Sequence, residues 1–225
     1  MLCSEATIVN SRSNGGEAIT LRCKCWHCQI CRPENAKIVR AKARKGQPTT
    51  LLTLTVNPQV GDSPEARARM LVGAFKELRR LMLRHLGLKR IPFLAVFERT
   101  KRGEPHLHVL CRVGFVSQRW ISEQMGRLIG APIVDIRRIR GTKQAAAYVA
   151  KYLGKDPAAF PGCKRYWSTT NWLDPWKAEW GEAPRDPGCW IVHREHFWVV
   201  ADALGSEGWE VEFVSDHYLR FGAPP

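Results

Sequence analysis

The stretch IPFLAVFERTKRGEPHLHVLCRVG, residues 91–114, predicts a β-hairpin and with it the type of fold. Two short runs rich in β-branched and aromatic residues, 91–99 and 104–114, flank a polar turn at residues 101–103 that ends in glycine. Runs of this length joined by so short a turn are typical of neighbouring antiparallel strands. The hairpin therefore favours an antiparallel sheet over a parallel one.

Strands and helices alternate with the hairpin in the order strand, helix, strand, strand, helix, strand, helix. The other strands are predicted at 49–56 and 132–140, and the helices at 63–86, 117–130 and 141–155. This order predicts an α+β fold with a central antiparallel β-sheet flanked by helices. Residues 1–20 look irregular, and beyond residue 156 only 194–205 looks helical.

Composition divides the chain into three predicted regions. Residues 1–47 are Cys-rich and basic, 48–156 form the core, and 157–225 form a Trp-rich extension that we expect to pack on the core. The net charge is +14, and residues 1–155 hold 29 basic against 10 acidic side chains. This asymmetry predicts a polyanionic partner. We find neither a secretion signal nor an apolar run of the roughly 18 residues that a membrane helix needs.

His106 and His108 lie on one face of their predicted strand, because side chains alternate between faces. Their Cα atoms are about 7 Å apart, which suits two imidazoles that bind one divalent metal ion. A third ligand must come from elsewhere; Glu98 at the end of the partner strand is the first choice, and Glu104 is the second. Such a site suits Mn²⁺, Mg²⁺ or Zn²⁺ chemistry at an oxygen substrate. Taken alone, the pattern also fits an ordinary strand with surface histidines.

Four of the eight cysteines lie within residues 23–31. A disulfide framework is not expected without an export signal, so metal binding is the better interpretation. The predicted ligands of a structural zinc ion are Cys23, Cys25, Cys28 and Cys31. Cys25 and Cys28 have the spacing of half a zinc site. Four ligands from nine residues would be crowded, so one of them has alternatives: Cys163, Cys3 and His27.

The segment YVAKYLGK, residues 148–155, predicts a helix with one chemically active stripe. At 3.6 residues per turn, two phenols and two ammonium groups share that stripe: Tyr148, Tyr152, Lys151 and Lys155. Tyrosine is a covalent nucleophile in phosphodiester cleavage, but its oxygen needs activation by a metal-polarised phosphate or a nearby lysine. Tyrosines that stack on nucleobases are the alternative interpretation.

Three motifs in this order resemble those of the rolling-circle replication initiators of the HUH endonuclease superfamily. They are LLTLT (51–55), the histidine-hydrophobe-histidine motif EPHLHVL (104–110), and the tyrosine-x-x-lysine motif YVAKYLGK (148–155). Two tyrosines resemble the phage initiators with a two-tyrosine motif, and CWHCQICR and RYWSTTNW are similar to segments of phage and plasmid initiators. The resemblance covers about 20–172 and implies the HUH nuclease fold, which is RRM-like or ferredoxin-like.

The resemblance implies a site-specific endonuclease and strand transferase in the cytoplasm of a bacterial or archaeal host. His106, His108 and Glu98 would hold Mn²⁺ or Mg²⁺ on the scissile phosphate of single-stranded or hairpin origin DNA. A tyrosine, Tyr148 slightly favoured, would form a 5′-phosphotyrosyl link and free a 3′-OH for a polymerase. The chain has no G-x-x-x-x-G-K-[ST] stretch, so a host helicase would unwind the DNA.

Basic side chains near these motifs are the expected contacts to DNA phosphates. They are Arg40, Lys42, Arg44, Lys45, Lys101, Arg102, Arg137, Arg138 and Arg140. Two alternatives share the scaffold: a non-catalytic DNA-binding regulator, and a transposase with one tyrosine. A two-histidine phosphoesterase is disfavoured, because the other histidines offer no second histidine-x-[Ser/Thr] motif.

Overall fold

The protein forms two compact units in a computed structural model that describes residues 3, 5–141, 143–144, 147–148, 158–174 and 189–223. The core unit is Ala36–Glu182, and the terminal unit combines Met1–Asn35 with Ala183–Pro225. Each unit contains a five-stranded antiparallel sheet. The predicted α+β class is confirmed, although the sequence indicated one sheet and the structure has two.

The helices and strands follow one another in a mixed order. In chain order they are β1 (Thr7–Arg12), β2 (Gly15–Thr20), α1 (Cys31–Lys45), β3 (Thr50–Thr55), α2 (Pro64–His85), β4 (Phe93–Arg99), β5 (Pro105–Cys111), α3 (Gln118–Ile129), β6 (Val134–Arg138), β7 (Tyr166–Ser168), a 3₁₀ turn (Thr170–Leu173), β8 (Cys189–His193), α4 (Phe197–Ser206), β9 (Glu210–Ser215) and β10 (Tyr218–Gly222). None of the described helices has the length and apolar character needed to cross a bilayer.

The core sheet has the strand order β6-β3-β5-β4-β7. The predicted hairpin is its centre, with β4 and β5 paired so that Glu98 lies opposite His106. Leu107 and Val109 are fully buried in the hydrophobic core, which also contains residues of α2 and α3. The predicted core face of the histidine strand is therefore confirmed, and by alternation the two histidines lie on the other face. We call this second face the histidine face.

Helix α2 begins as its sequence predicts. The Ser63 side chain accepts a hydrogen bond from the Ala66 N–H at 3.1 Å, and Pro64 occupies the first turn. The apolar residues at spacings of three and four are all buried: Leu71, Phe75, Leu78 and Met82. This face packs in the core with the sheet and so supports the histidine strand from behind.

The terminal unit has a sheet of order β8-β1-β2-β10-β9. Helix α4 contributes Phe197, Val200 and Leu204 to a hydrophobic cluster with residues of that sheet. The expectation that residues 1–20 are irregular is wrong, since they form β1 and β2. The physical reason is long-range pairing: β1 and β2 are stabilised by β8 and β10, which lie about 180 residues or more later in the chain.

Candidate metal and DNA site

Glu98, His106 and His108 come together on the histidine face, and we call them the histidine group. One ligand atom of each lies within 4.8 Å of the others. The antiparallel register places Glu98 and His106 opposite each other, and His108 follows two residues later on the same face. Two imidazoles and a carboxylate at this spacing could hold a divalent cation. Glu98, the first choice of the sequence prediction, is the residue that the fold brings to the histidines.

The imidazole of His108 is held at both of its nitrogens. Nε2 lies 2.8 Å from Glu98 Oε2, and Nδ1 lies 3.1 Å from the hydroxyl of Thr53 on β3. The residue is buried, and Thr53 is its direct cross-strand neighbour. If Nδ1–H donates to the Thr53 hydroxyl, Nε2 carries the lone pair that can bind a metal ion. Threonines at 53 and 55 in a strand of leucines are the sequence signal that could have identified this contact.

His106 occupies a half-buried position beside His108. Desolvation lowers the pKa of His106 below its ordinary value, the neighbouring imidazole of His108 lowers it further, and Glu98 acts in the opposite direction. The ring centroids of the two histidines are 6.1 Å apart. A lowered pKa keeps the imidazole neutral, which is the form that binds metals.

Glu104, the second choice for a carboxylate ligand, is engaged elsewhere. Both of its oxygens accept hydrogen bonds from Arg67 of α2, at 2.6 and 2.8 Å. The side chains of Arg67 and Glu104 are only 8% and 15% exposed, and Arg67 also donates to the carbonyl of Gly61. This ion pair fixes the end of the hairpin turn to α2. Sequence reasoning placed Arg67 outside the apolar face of α2 and missed this role.

Tyr148 contacts β6 through Arg137. The pKa of Arg137 is raised above its ordinary value, first by a hydrogen bond with the Tyr148 side chain and then by Asp135. Arg137 Nε donates to Asp135 Oδ2 at 2.7 Å. A guanidinium that donates to a phenol oxygen favours the phenolate form. Three of the predicted catalytic residues lie outside the described residues: Lys151, Tyr152 and Lys155.

Four cysteines in the terminal unit form a second group of possible ligands, which we call the cysteine group. Its members are Cys3, Cys23, Cys28 and Cys31, whose sulfur atoms all lie within 4.8 Å of one another. Cys31 Sγ lies 3.2 Å from the sulfur of Cys3 and 3.7 Å from that of Cys23. A tetrahedral zinc ion with Zn–S bonds of about 2.3 Å separates its sulfurs by roughly 3.8 Å. The arrangement therefore fits a tetrahedral metal.

Cys25 is not part of this group, and Cys3 is, which was one of the alternatives from the sequence. The backbone at Lys24 is left-handed, with φ 52°, so the chain turns between Cys23 and Cys25. Cys25 Sγ instead accepts a hydrogen bond from the His27 N–H at 3.4 Å. Within the group, the Cys31 N–H donates to Cys28 Sγ, also at 3.4 Å. Such bonds stabilise a thiolate, although burial raises the pKa of Cys31 to about 12.

The predicted DNA-binding residues lie in three places. Helix α1 carries Arg40, Lys42, Arg44 and Lys45, of which Arg44 is exposed and the others are half-buried. Lys42 Nζ lies 5.8 Å from the ring centre of Tyr166, which aligns with His108 across the sheet. Lys101 and Arg102 are exposed on the hairpin turn. Exposed positions at and after β6 hold the remaining three, Arg137, Arg138 and Arg140.

An α+β core whose antiparallel sheet carries a histidine pair and a carboxylate is the setting in which we compared the chain with known proteins. Residues 49–157 match the model of a family of replication-associated proteins, the ORF2 type. The matched segment is just under half of the chain and contains the whole histidine group and both tyrosines of the tyrosine-x-x-lysine motif. The match supports a replication initiator that interacts with DNA. Neither the curated proteins nor the solved structures that we searched contain a match.

Proposed function

We propose that the protein is a site-specific, single-stranded DNA endonuclease and strand transferase that initiates rolling-circle replication. The observation that carries the proposal is the histidine group, with His108 fixed between Glu98 and Thr53. The family match to replication-associated proteins and the excess of basic side chains support a DNA substrate.

The histidine group would hold Mn²⁺ or Mg²⁺, which would polarise the scissile phosphate of the DNA. The three residues fit this role because they offer two nitrogens and one carboxylate oxygen within one small cluster. The Thr53 hydroxyl would keep Nε2 of His108 directed at the ion. Nothing in this donor set selects between the two metals, so both belong to the proposal.

The cleavage step uses a tyrosine hydroxyl, as the resemblance to two-tyrosine initiators implies. The tyrosine oxygen loses its proton and forms a bond to the phosphorus, and the bond from phosphorus to the 3′ oxygen breaks. The DNA is left with a 5′-phosphotyrosyl link, and the leaving oxygen takes a proton to become a 3′-OH. Attack of a 3′-OH on that link reverses the step and joins strands.

Both Tyr148 and Tyr152 are candidate nucleophiles, and Lys151 and Lys155 would neutralise charge in the transition state. The Arg137 guanidinium beside Tyr148 favours its phenolate form, which supports a chemical role for this tyrosine. The sheet register places the Cα atoms of Arg137 and His108 about 12 Å apart, since two strands and two residues separate them. Single variants of each tyrosine therefore decide the order of attack.

The cysteine group would hold a structural zinc ion. Four sulfur ligands close the coordination shell of zinc and leave no open position for chemistry. Helix α1 starts at Cys31, so zinc would fix the first turn of the helix that carries Arg40, Lys42 and Arg44. We propose that these cations contact DNA phosphates.

The test is a search for a covalent adduct on a denaturing gel. The protein is incubated with Mn²⁺ and single-stranded oligonucleotides tiled across the replicon that encodes it. Wild type should form a denaturation-resistant adduct and a product that a polymerase extends from its 3′-OH. The Tyr148→Phe/Tyr152→Phe double variant should form none, and His108→Ala should lose about 10³-fold in rate.

The chain has four tyrosines, which supplies matched controls. Tyr218→Phe removes a phenol of the terminal unit that contacts Glu17 and should leave the adduct unchanged. Nicking by the double variant would overturn the tyrosine mechanism. If wild type binds the oligonucleotides but never forms an adduct, the protein is a non-catalytic DNA-binding regulator. If one tyrosine suffices for cleavage and for strand joining between unlinked ends, the transposase alternative is favoured.

A further inference from the structure

A cavity of about 510 Å³ opens directly beside His106 in the core unit. Three loops enclose it: the segment after β3, the β4–β5 turn, and the α3–β6 connection. Its apolar lining includes buried Val56 and Ala131 and the exposed Pro58, Pro132 and Ile133, while Lys101 and Arg102 line its cationic side. Ligand pockets in proteins range from roughly 300 to 1,000 Å³, so the cavity has room for a small organic group.

The position of Ile133 relates the cavity to the histidine group. Leu54 pairs with Val134, so the next step along both strands sets Ile133 beside Thr55, and Thr55 pairs with His106. Ile133 thus lies at the end of the cross-strand row that runs through Thr55 and His106 to Glu98. Two strand spacings of about 4.8 Å separate its Cα atom from that of His106. A group held against Ile133 is therefore a direct neighbour of one held at His106.

The walls of the cavity are preformed. The turn that carries Lys101 and Arg102 is closed by a hydrogen bond from the Thr100 N–H to the Glu104 carbonyl at 2.8 Å. The Glu104 side chain is bound in turn to Arg67 of α2. By contrast, Ile133 is an apolar side chain that is 72% exposed at the mouth of this rigid cavity. An exposed β-branched residue in such a place suits contact with a ligand rather than core packing.

We infer that this cavity binds one unpaired nucleobase of the DNA strand next to the scissile phosphate. A base has an apolar face for Ile133, Pro132 and Val56, and its backbone phosphate suits the cations of the turn. A base inside a duplex stays stacked and cannot enter, so the cavity selects single-stranded DNA. The inference rests on the proposed function, because it assigns the neighbouring subsite of the same DNA strand.

The test measures base-dependent affinity without any cleavage. Fluorescence anisotropy in EDTA compares (dT)20, (dA)20 and (dC)20 with a 20-mer of abasic nucleotides, which keeps every phosphate but has no base. The variant Ile133→Asn should weaken binding of the preferred homopolymer about five-fold and leave the abasic 20-mer unchanged. Ile133→Trp should strengthen the homopolymer complex, because indole stacks on bases. Leu88→Asn is the control, since Leu88 is also an exposed apolar residue but precedes β4, at the strand end away from Glu98.

A second measurement locates the base. Oligo(dT) with one 4-thiothymidine is irradiated in complex with the protein, and cross-linked peptides should contain residues 55–58 or 130–133. Equal affinity of wild type for the abasic 20-mer and all three homopolymers, or cross-links confined to other peptides, would overturn the inference. Failure of the nuclease proposal looks different, since it removes the covalent adduct in Mn²⁺ but leaves base-dependent binding in EDTA intact.

Discussion

The histidine group and the cysteine group solve the same problem of gathering ligands in two different ways. Glu98, His106 and His108 lie on two adjacent strands, whose hydrogen-bonded register fixes their spacing. The cysteines come from irregular segments, with Cys3 and Cys31 separated by 28 residues. A strand ladder positions ligands without any help from a metal. Ligands on loops depend on the metal for their order, so metal binding and folding are coupled there.

The difference also separates what the two groups can do. Three ligands from nitrogen and oxygen leave positions on the metal open for a phosphate oxygen, as a catalytic site requires. Four thiolates complete a tetrahedron and leave none. We therefore expect removal of metal to stop chemistry at the histidine group and to loosen structure at the cysteine group.

The largest expected effect tests the membership of the cysteine group. Cys3→Ser should lose bound zinc and several kcal/mol of stability in the terminal unit, because structural zinc in small domains binds with roughly 10–16 kcal/mol. Cys25→Ser is the matched control and should keep one zinc per chain, since its sulfur lies outside the group. Metal content by mass spectrometry and thermal melting give the answer. Zinc retained in Cys3→Ser but lost in Cys25→Ser would restore the ligand set predicted from the sequence.

The next effect concerns the ion pair that supports the histidine group. Arg67→Met leaves the Glu104 carboxylate mostly buried without its partner, and such a change costs about 3–5 kcal/mol. The double variant Arg67→Met/Glu104→Leu removes both charges and should recover most of that loss. Urea unfolding of the wild type, both single variants and the double variant forms a complete cycle. If the double variant is as unstable as the sum of the single variants, Arg67 and Glu104 are not coupled.

Local sequence signals predicted the core unit well because its elements are adjacent in the chain. The hairpin, the Ser63 cap and the alternation along 104–111 each depend on neighbours within a few residues. The register then brought Glu98 to His106 as the hairpin prediction required. Patterns with short periods give this information reliably when each face of an element has one environment.

The rest depended on contacts between distant parts of the chain. The β1–β2 hairpin is completed by β8 and β10, and no local pattern in residues 1–20 announces those partners. Cys3 joined the cysteine group for the same reason. Arg67 looked like a surface residue because helical spacing alone does not show that Glu104 meets it from another element. Long-range pairing was therefore the information that the sequence did not carry.

A smaller effect is expected from the contact that orients His108. Thr53→Val keeps the shape of the side chain but removes the hydroxyl that lies 3.1 Å from Nδ1. Loss of such an orienting partner reduces metal affinity or activity about 10–100-fold. The adduct rate at limiting Mn²⁺ should fall, and saturating Mn²⁺ should restore part of it. Thr55→Val, at the neighbouring position of the same strand, is the control; equal losses in both variants would show that the effect is not specific to His108.

The smallest effect compares a thiol behind the histidine group with the thiols of the cysteine group. Cys111 is buried in the core, donates to the Thr50 carbonyl, and burial raises its pKa to about 12. Because the folded pKa lies above the unfolded value near 9, its contribution to stability is complete below pH 9. Above pH 9 that contribution falls by about 1.4 kcal/mol per pH unit, until the pH reaches the folded pKa. Urea unfolding between pH 8 and 10.5 should show a shallower loss for Cys111→Ala than for wild type, whereas Cys189→Ala, which removes an exposed thiol, should follow wild type. Equal slopes in all three proteins would mean that Cys111 reaches solvent in the folded state.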